Sequence, residues 1–177
     1  CTTLLILSPP GSVLEENLGL KILFALRGPS PPPEKAIIVD IDDSTPNRLG
    51  LPDNHLKWPR TVYARLVEKL CELGAEVIVF DIHFLEGKNR EEDALFAAQV
   101  KKSGRVILIE KIKRLADPGI NEPPGHLAIE TLIAPYSPLA ESALALAPFP
   151  VPKYPVRVNQ SWIFKPSAGD IPTLPAV

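Results

Sequence analysis

The chain has 177 residues, a hydrophobic content of 45%, a charged content of 23% and a formal net charge of -2. These values are ordinary for one globular domain with its own core, and they give no electrostatic basis for binding nucleic acid. The 21 prolines are about twice the usual share of about 5%, so we expect long irregular segments around a smaller regular core.

The N-terminal residues combine a short apolar run with a predicted helix. The run Leu4–Leu7 is far shorter than the roughly 18 apolar residues of a membrane span. We expect residues 1–12 to be a membrane-proximal segment, the end of an anchor or signal, and residues 13–177 to form a single domain. Apolar residues then recur at helical spacing, at Leu14, Leu18, Ile22 and Leu26. This stripe predicts a helix from about Val13 to Leu26.

Three β-branched runs predict buried strands near 36–42, 76–82 and 106–112. Continuous apolar runs of this length suit strands that are covered on both faces, as in a parallel sheet. Helical spacing of apolar residues between the runs predicts helices over about 60–73 and 91–102. The fold class is therefore α/β, a mostly parallel sheet with a βαβαβ core and helices on both faces.

The C-terminal third is predicted to be irregular and rich in proline. An alanine-rich stretch from Leu139 to Leu146 predicts a short helix. Residues 149–155 cannot form a central strand, since proline has no N–H to donate to a neighbouring strand. A strand is predicted over 156–164.

Charged residues follow the predicted strands, at the edge where open α/β sheets usually bind ligands. We expect Asp42, Asp43 and Asp81 to share this edge with Arg60, which begins the next helix. Two interpretations are open: a structural cluster of ion pairs and helix caps, or a site for a ligand or cation. Trp58 either packs over the sheet end or stacks on a ligand. The candidate ligand-binding residues are Asp42, Asp43, Trp58, Arg60, Asp81 and His83.

An enzymatic alternative rests on Asp40 and Asp42. Haloacid dehalogenase-type phosphatases place an Asp-x-Asp after a strand, where one carboxylate attacks phosphorus and carboxylate oxygens hold the metal. Such an enzyme also needs a Ser or Thr, a Lys and an acidic pair after later strands. The residues after the second predicted strand are Asp81-Ile82-His83, without a Ser or Thr, and those after the third are Glu110-Lys111, without an acidic pair. Only one of the four motifs of such an enzyme is therefore present, and we expect no catalytic residues. The sequence has no His or Cys set at metal-ligand spacing, so we expect no metal ligands. It also has no phosphate-binding glycine loop, and we expect no cofactor.

Short motifs run in order from about Glu15 to Leu174, nearly the whole chain. They are Leu26-Arg27-Gly28, Ile38 to Ser44, Trp58-Pro59-Arg60, Leu73-Gly74-Ala75, Val79 to Ile82 with Phe84, Glu91-Glu92-Asp93, Phe149 to Pro152, and Ser167 to Asp170 with Pro172-Thr173-Leu174. In this order and spacing they resemble the second type of CHASE domain, the extracellular sensory module of bacterial cyclases and histidine kinases.

The resemblance implies a non-catalytic sensor for an unknown small-molecule ligand. Such a sensor would lie in the periplasm or at the cell surface, and the full-length protein would be anchored in the inner or plasma membrane by segments outside this sequence. The implied output domain is an adenylate cyclase, a histidine kinase or a Ser/Thr kinase. Because two-fold association is the commonest oligomeric arrangement and such outputs act as dimers, we expect a homodimer.

Overall fold

The structure, a computed structural model, describes residues 19–31, 33–114, 130–150, 163–165 and 169–177. The chain forms two compact units. The first consists of Cys1–Asp42 and Pro152–Gln160, and the second of Asp43–Val151 and Ser161–Val177.

Helix α1, Leu20–Arg27, is the regular element of the first unit's described part. Gly28 ends it with a φ of 74°, a backbone angle that glycine adopts without steric cost. The helix confirms the C-terminal half of the predicted helix, whose residues 13–18 lie outside the described residues. Ile22, Leu23 and Leu26 of α1 are exposed.

The predicted strand over 36–42 is wrong. These residues have no regular secondary structure, and Ile37 and Ile38 are 88% and 92% exposed. The prediction came from β-branched side chains, but such residues favour a strand only when a neighbouring strand and a covering layer receive them. The described sheets contain neither for this run.

The second unit contains a sheet centred on β2, Val106–Arg114. Strands β1, Ile78–Phe80, and β4, Ala145–Pro148, lie parallel to β2 on its two sides, since Ile107 is opposite both Val79 and Ala145. The second half of β2 pairs antiparallel with β3, Glu130–Ile133. A separate antiparallel pair joins β5, Phe164–Lys165, to β6, Ile171–Pro172. The mostly parallel sheet with helices confirms the α/β class.

Short and long helices alternate with these strands. They are α2, Thr45–Leu49; α3, Arg60–Glu72; α4, Arg90–Ser103; α5, Ser137–Ala140; and single 3₁₀ turns at His55–Lys57 and Leu174–Ala176. Helices α3 and α4 confirm two predictions. Among the described helices, none is both long and apolar enough to cross a membrane.

The predicted helix from Leu139 to Leu146 is wrong. Its first residues end α5, and its last residues belong to β4, where Leu146 and Ala147 pair with β2. Alanine favours helix locally, but here pairing with a buried neighbouring strand outweighs that preference.

Four rings form the centre of the second unit's core. Tyr63, Phe80, Phe84 and Phe96 contact one another in every pairing, with ring centroids 5.1–6.1 Å apart. Since Tyr63 lies on α3 and Phe96 on α4, both long helices cover the face of β1 that carries Phe80. A helix on the opposite face stays a prediction.

Candidate functional site

The six candidate ligand-binding residues differ in burial. Trp58 and Arg60 are buried, whereas Asp43, Asp81 and His83 are exposed at the surface of the second unit. Asp42 belongs to the first unit, where it is also exposed.

Arg60 begins α3 and turns its side chain into the protein, where it is 5% exposed. Its Nε donates to Oδ1 of Asp93 at 3.2 Å, and its Nη2 donates to the carbonyl of Glu86 at 2.9 Å. The guanidinium carbon lies 4.7 Å from the centroid of the Phe84 ring, within cation–π range. The structure therefore gives Arg60 an acidic partner on α4, instead of the expected acids that follow the strands.

The adjacent acids Glu92 and Asp93 hold Arg60 at two points. Pro59, the N-cap of α3, has no side-chain oxygen to accept from the first N–H groups of the helix. Glu92 supplies that acceptor from α4, where its Oε2 receives the Arg60 N–H at 3.0 Å. The second oxygen of Asp93 accepts from the backbone N–H of Lys88 at 2.7 Å. The start of α4 thus caps α3 and binds the loop before it.

Lys88 adds a second cation to this cluster. Its ammonium donates to the carbonyls of Leu56 and Trp58, the latter at 3.2 Å. Burial lowers the pKa of Lys88, and the nearby positive charge of Arg60 lowers it further. The cluster of Arg60, Lys88, Glu92 and Asp93 therefore contains two cations and two acids, and we call it the charged cluster.

Trp58 packs inside the protein. Its ring stacks on Tyr63 at a centroid distance of 6.3 Å, and its indole N–H donates to the carbonyl of Pro52 at 2.6 Å. The hydroxyl of Tyr63 donates to the carbonyl of His55 at 2.9 Å, and burial raises the pKa of Tyr63 against the opposing effect of Arg60. Of the two interpretations of Trp58, this geometry favours packing over the sheet end.

The loop from Asp81 to Asn89, which we call the β1–α4 loop, has an inner side that packs on the core and an outer side that faces solvent. Phe84 is buried in the ring cluster, and its carbonyl accepts from the N–H of Tyr136 at 2.7 Å. Asp81 and His83 are exposed on either side of the half-buried Ile82. They are therefore the candidate residues of this loop that a ligand in solution can reach.

The chemistry available in the described residues is that of polar binding. No group of three or more His, Cys, Asp or Glu side chains among them could hold a metal ion. Every buried side-chain nitrogen or oxygen in the described part of the chain has a hydrogen-bond partner. The charged cluster is thus satisfied by protein groups, which is the arrangement expected of a structural cluster.

The sequence analysis missed Lys88, Glu92 and Asp93 as members of this cluster. The three acids at residues 91–93 are visible in the sequence as residues suited to a helix N-terminus. Nothing local indicates which of several acids pairs with Arg60, because the two residues are 33 positions apart.

Comparison with known proteins bears on the identity of the chain. No curated protein and no solved structure matches it. A family model described as the CHASE2 domain matches residues 2–166, and this match confirms the resemblance of the short motifs. The chain therefore belongs to the CHASE2 domain family, a family of extracellular sensory domains.

Proposed function

We propose that this chain is the non-catalytic, ligand-sensing domain of a membrane-bound receptor with an adenylate cyclase, histidine kinase or Ser/Thr kinase output. The observation that carries this proposal is the family match over residues 2–166. In the full-length protein the domain lies outside the cytoplasm, is anchored in the inner or plasma membrane and works as a homodimer.

A small-molecule ligand contacts the exposed candidate residues of the second unit. Asp81 and His83 supply a carboxylate and an imidazole on the outer side of the β1–α4 loop, and Asp42 and Asp43 remain candidates. The buried Arg60 and Trp58 hold this loop in place, which is supported by the bond from Arg60 to the Glu86 carbonyl and the bond from Lys88 to the Trp58 carbonyl.

The location is tested with a reporter enzyme fused after Val177 in the full-length protein. Alkaline phosphatase folds and becomes active only after export, so we expect high activity. A fusion with β-galactosidase, which is active only in the cytoplasm, is the matched control and should be inactive. The reverse pattern would overturn the proposed location.

The binding site is tested in the full-length receptor by measuring its output against a library of small polar metabolites. We expect Asp81→Asn and His83→Gln to raise the half-maximal ligand concentration by about tenfold, the loss of one charged or hydrogen-bonded contact. The exposed Glu68→Gln on α3 is the control. Unchanged sensitivity in both variants would contradict the site assignment.

The phosphatase alternative requires Asp40 at the end of a buried strand. Asp40 is instead exposed in a segment without regular structure, which does not support that chemistry. With an aryl phosphate and magnesium, we expect the chain and its Asp40→Asn variant to give the same background turnover. Activity that disappears in the variant would instead favour the phosphatase.

A further inference from the structure

The charged cluster connects the start of α3 to the β1–α4 loop and to the start of α4, which follow about 30 residues later in the sequence. Arg60 belongs to the start of α3, Glu92 and Asp93 to the start of α4, and Lys88 to the β1–α4 loop. The carboxylates of the two acids make three of the contacts between these elements, and the others run from Arg60 to the Glu86 carbonyl and from the Lys88 ammonium to the carbonyls of Leu56 and Trp58.

The charges of this cluster depend on one another. The Arg60–Asp93 pair is nearly inaccessible to water, with side chains 5% and 4% exposed. When one partner leaves such a pair, the other stays buried without a counter-charge, and this is strongly unfavourable. Asp93 also binds the Lys88 N–H, so a movement of Arg60 away from Asp93 weakens the attachment of the loop as well. Separate, stepwise loss of these contacts is therefore disfavoured.

The loop has a second attachment on its far side. The Tyr136 N–H donates to the Phe84 carbonyl, and Gly87 lies directly against the Tyr136 ring. A Cβ atom at Gly87 would lie 3.0 Å from Cζ of that ring and 3.3 Å from Oδ2 of Asp93. The loop is thus enclosed between Asp93 and Tyr136, so that displacement from one affects its contact with the other.

We propose that the β1–α4 loop, the start of α3 and the start of α4 open together as one cooperative unit, which we call the latch. Arg60 is the positioning residue of the latch, and the unit opens when the contacts of Arg60 are broken. Asp81 and His83 lie on the outer side of the same loop, so a ligand that contacts them acts on the latch. That use in sensing rests on the proposed function, whereas the cooperative opening does not.

Native-state hydrogen exchange of the 177-residue chain, read by NMR, tests the latch without ligand or output domain. The latch amides are those of Arg60, Lys88 and Tyr136. The reference amides are those of Ile78, which donates to the Arg105 carbonyl, and Leu144, which donates to the Val106 carbonyl. In Arg60→Met we expect all three latch amides to exchange at least about tenfold faster, with a smaller effect on the reference amides. Arg65→Met, on the exposed side of α3, is the matched control and should change neither set.

A milder variant keeps the test decisive if Arg60→Met does not fold. Glu92→Gln retains the Arg60–Asp93 pair and weakens the acceptor of the Arg60 N–H. The latch predicts faster exchange at Lys88 and Tyr136 as well as at Arg60, by a smaller factor. Faster exchange at Arg60 alone would overturn the latch, and so would an equal increase at the latch and reference amides. These outcomes leave the proposed sensing role to the receptor measurements.

Discussion

At Gly87 the side chain is a single hydrogen because the neighbours leave no room for more. A Cβ atom there would lie 3.0 and 3.1 Å from two atoms of the Tyr136 ring, closer than ordinary van der Waals contact. Gly87→Ala should therefore lower the free energy of unfolding by about 1–3 kcal/mol, the usual cost of overpacking. Urea unfolding measures this loss.

A double-mutant cycle identifies the cause of that loss. Tyr136→Leu removes the ring atoms that the new methyl group would meet, so Gly87→Ala should cost less in its presence. If both backgrounds lose the same free energy, contact with the Tyr136 ring is not the reason for glycine at this position.

Glu110 gives the stability of the protein a pH dependence of known sign. This residue of β2 is half-buried beside Pro148 of β4, and burial raises the pKa of its carboxyl group. Because the folded pKa exceeds the unfolded pKa, the contribution of this group is most favourable below the unfolded value. It is lost as the pH rises through the folded value.

Replacing the carboxyl group of Glu110 with an amide removes this loss of stability at neutral pH. We expect Glu110→Gln to melt at a higher temperature than the parent chain at pH 7, and the difference to vanish at about pH 3, where the carboxyl group is neutral in both states. The exposed Glu76→Gln serves as the control. A difference between Glu110→Gln and the parent that persists at low pH would assign the effect to packing.

Helix α4 is capped by a side chain next to it in the sequence, whereas the N–H acceptor at the start of α3 comes from α4. Oδ1 of Asn89 accepts from the N–H groups of Glu91 and Glu92 at 3.0 and 3.2 Å. Asn89→Ala should therefore cost about 1 kcal/mol of unfolding free energy, whereas Asn89→Asp keeps an acceptor and should cost only a few tenths. Chemical denaturation measures the unfolding free energy of both variants and shows which of them loses more. Equal losses would mean that the side-chain acceptor is not what matters at Asn89.

Helices α3 and α4 were predictable because their signals are local. Apolar residues at helical spacing define their inner faces, and Gly74 and Gly104, with positive φ, follow their ends. Strands are less readable, since a strand exists only with a partner that is distant in sequence. For this reason the run at 36–42 was wrongly predicted as a strand, and Ala145 and Leu146 were wrongly predicted as helix.

The candidate site was only partly predictable, because its contacts join residues that are far apart in the sequence. The sequence shows which residues carry charge, but it placed Asp42 and Asp43 after a strand that the structure does not contain. Which charges meet cannot be read from the sequence, since Arg60 has several acids available and selects the one that the packing of α3 on α4 brings to 3.2 Å. Long-range geometry also decides the pair formed by Lys165 and Glu130, whose side-chain atoms lie 3.0 Å apart across 35 positions of sequence.

The exposed run Ile37-Ile38-Val39 has a consequence for solubility. A short β-branched segment without proline that faces water is a template for intermolecular strand pairing, and charged neighbours oppose such pairing. Lys35 and Asp40 flank the run on its two sides. We expect Ile38→Thr to slow aggregation on prolonged incubation, measured by light scattering. Its unfolding free energy should stay within about 0.5 kcal/mol of the parent, as is usual for a surface change. A clear loss of stability would show that Ile38 is packed.

The same reasoning gives the acids after this run a role that involves neither catalysis nor a ligand. Because these acids follow the run directly, we expect Asp40, Asp42 and Asp43 to repel a second copy of the segment and so to oppose self-assembly. Their neutralisation should therefore speed aggregation even in a chain whose fold and binding are intact.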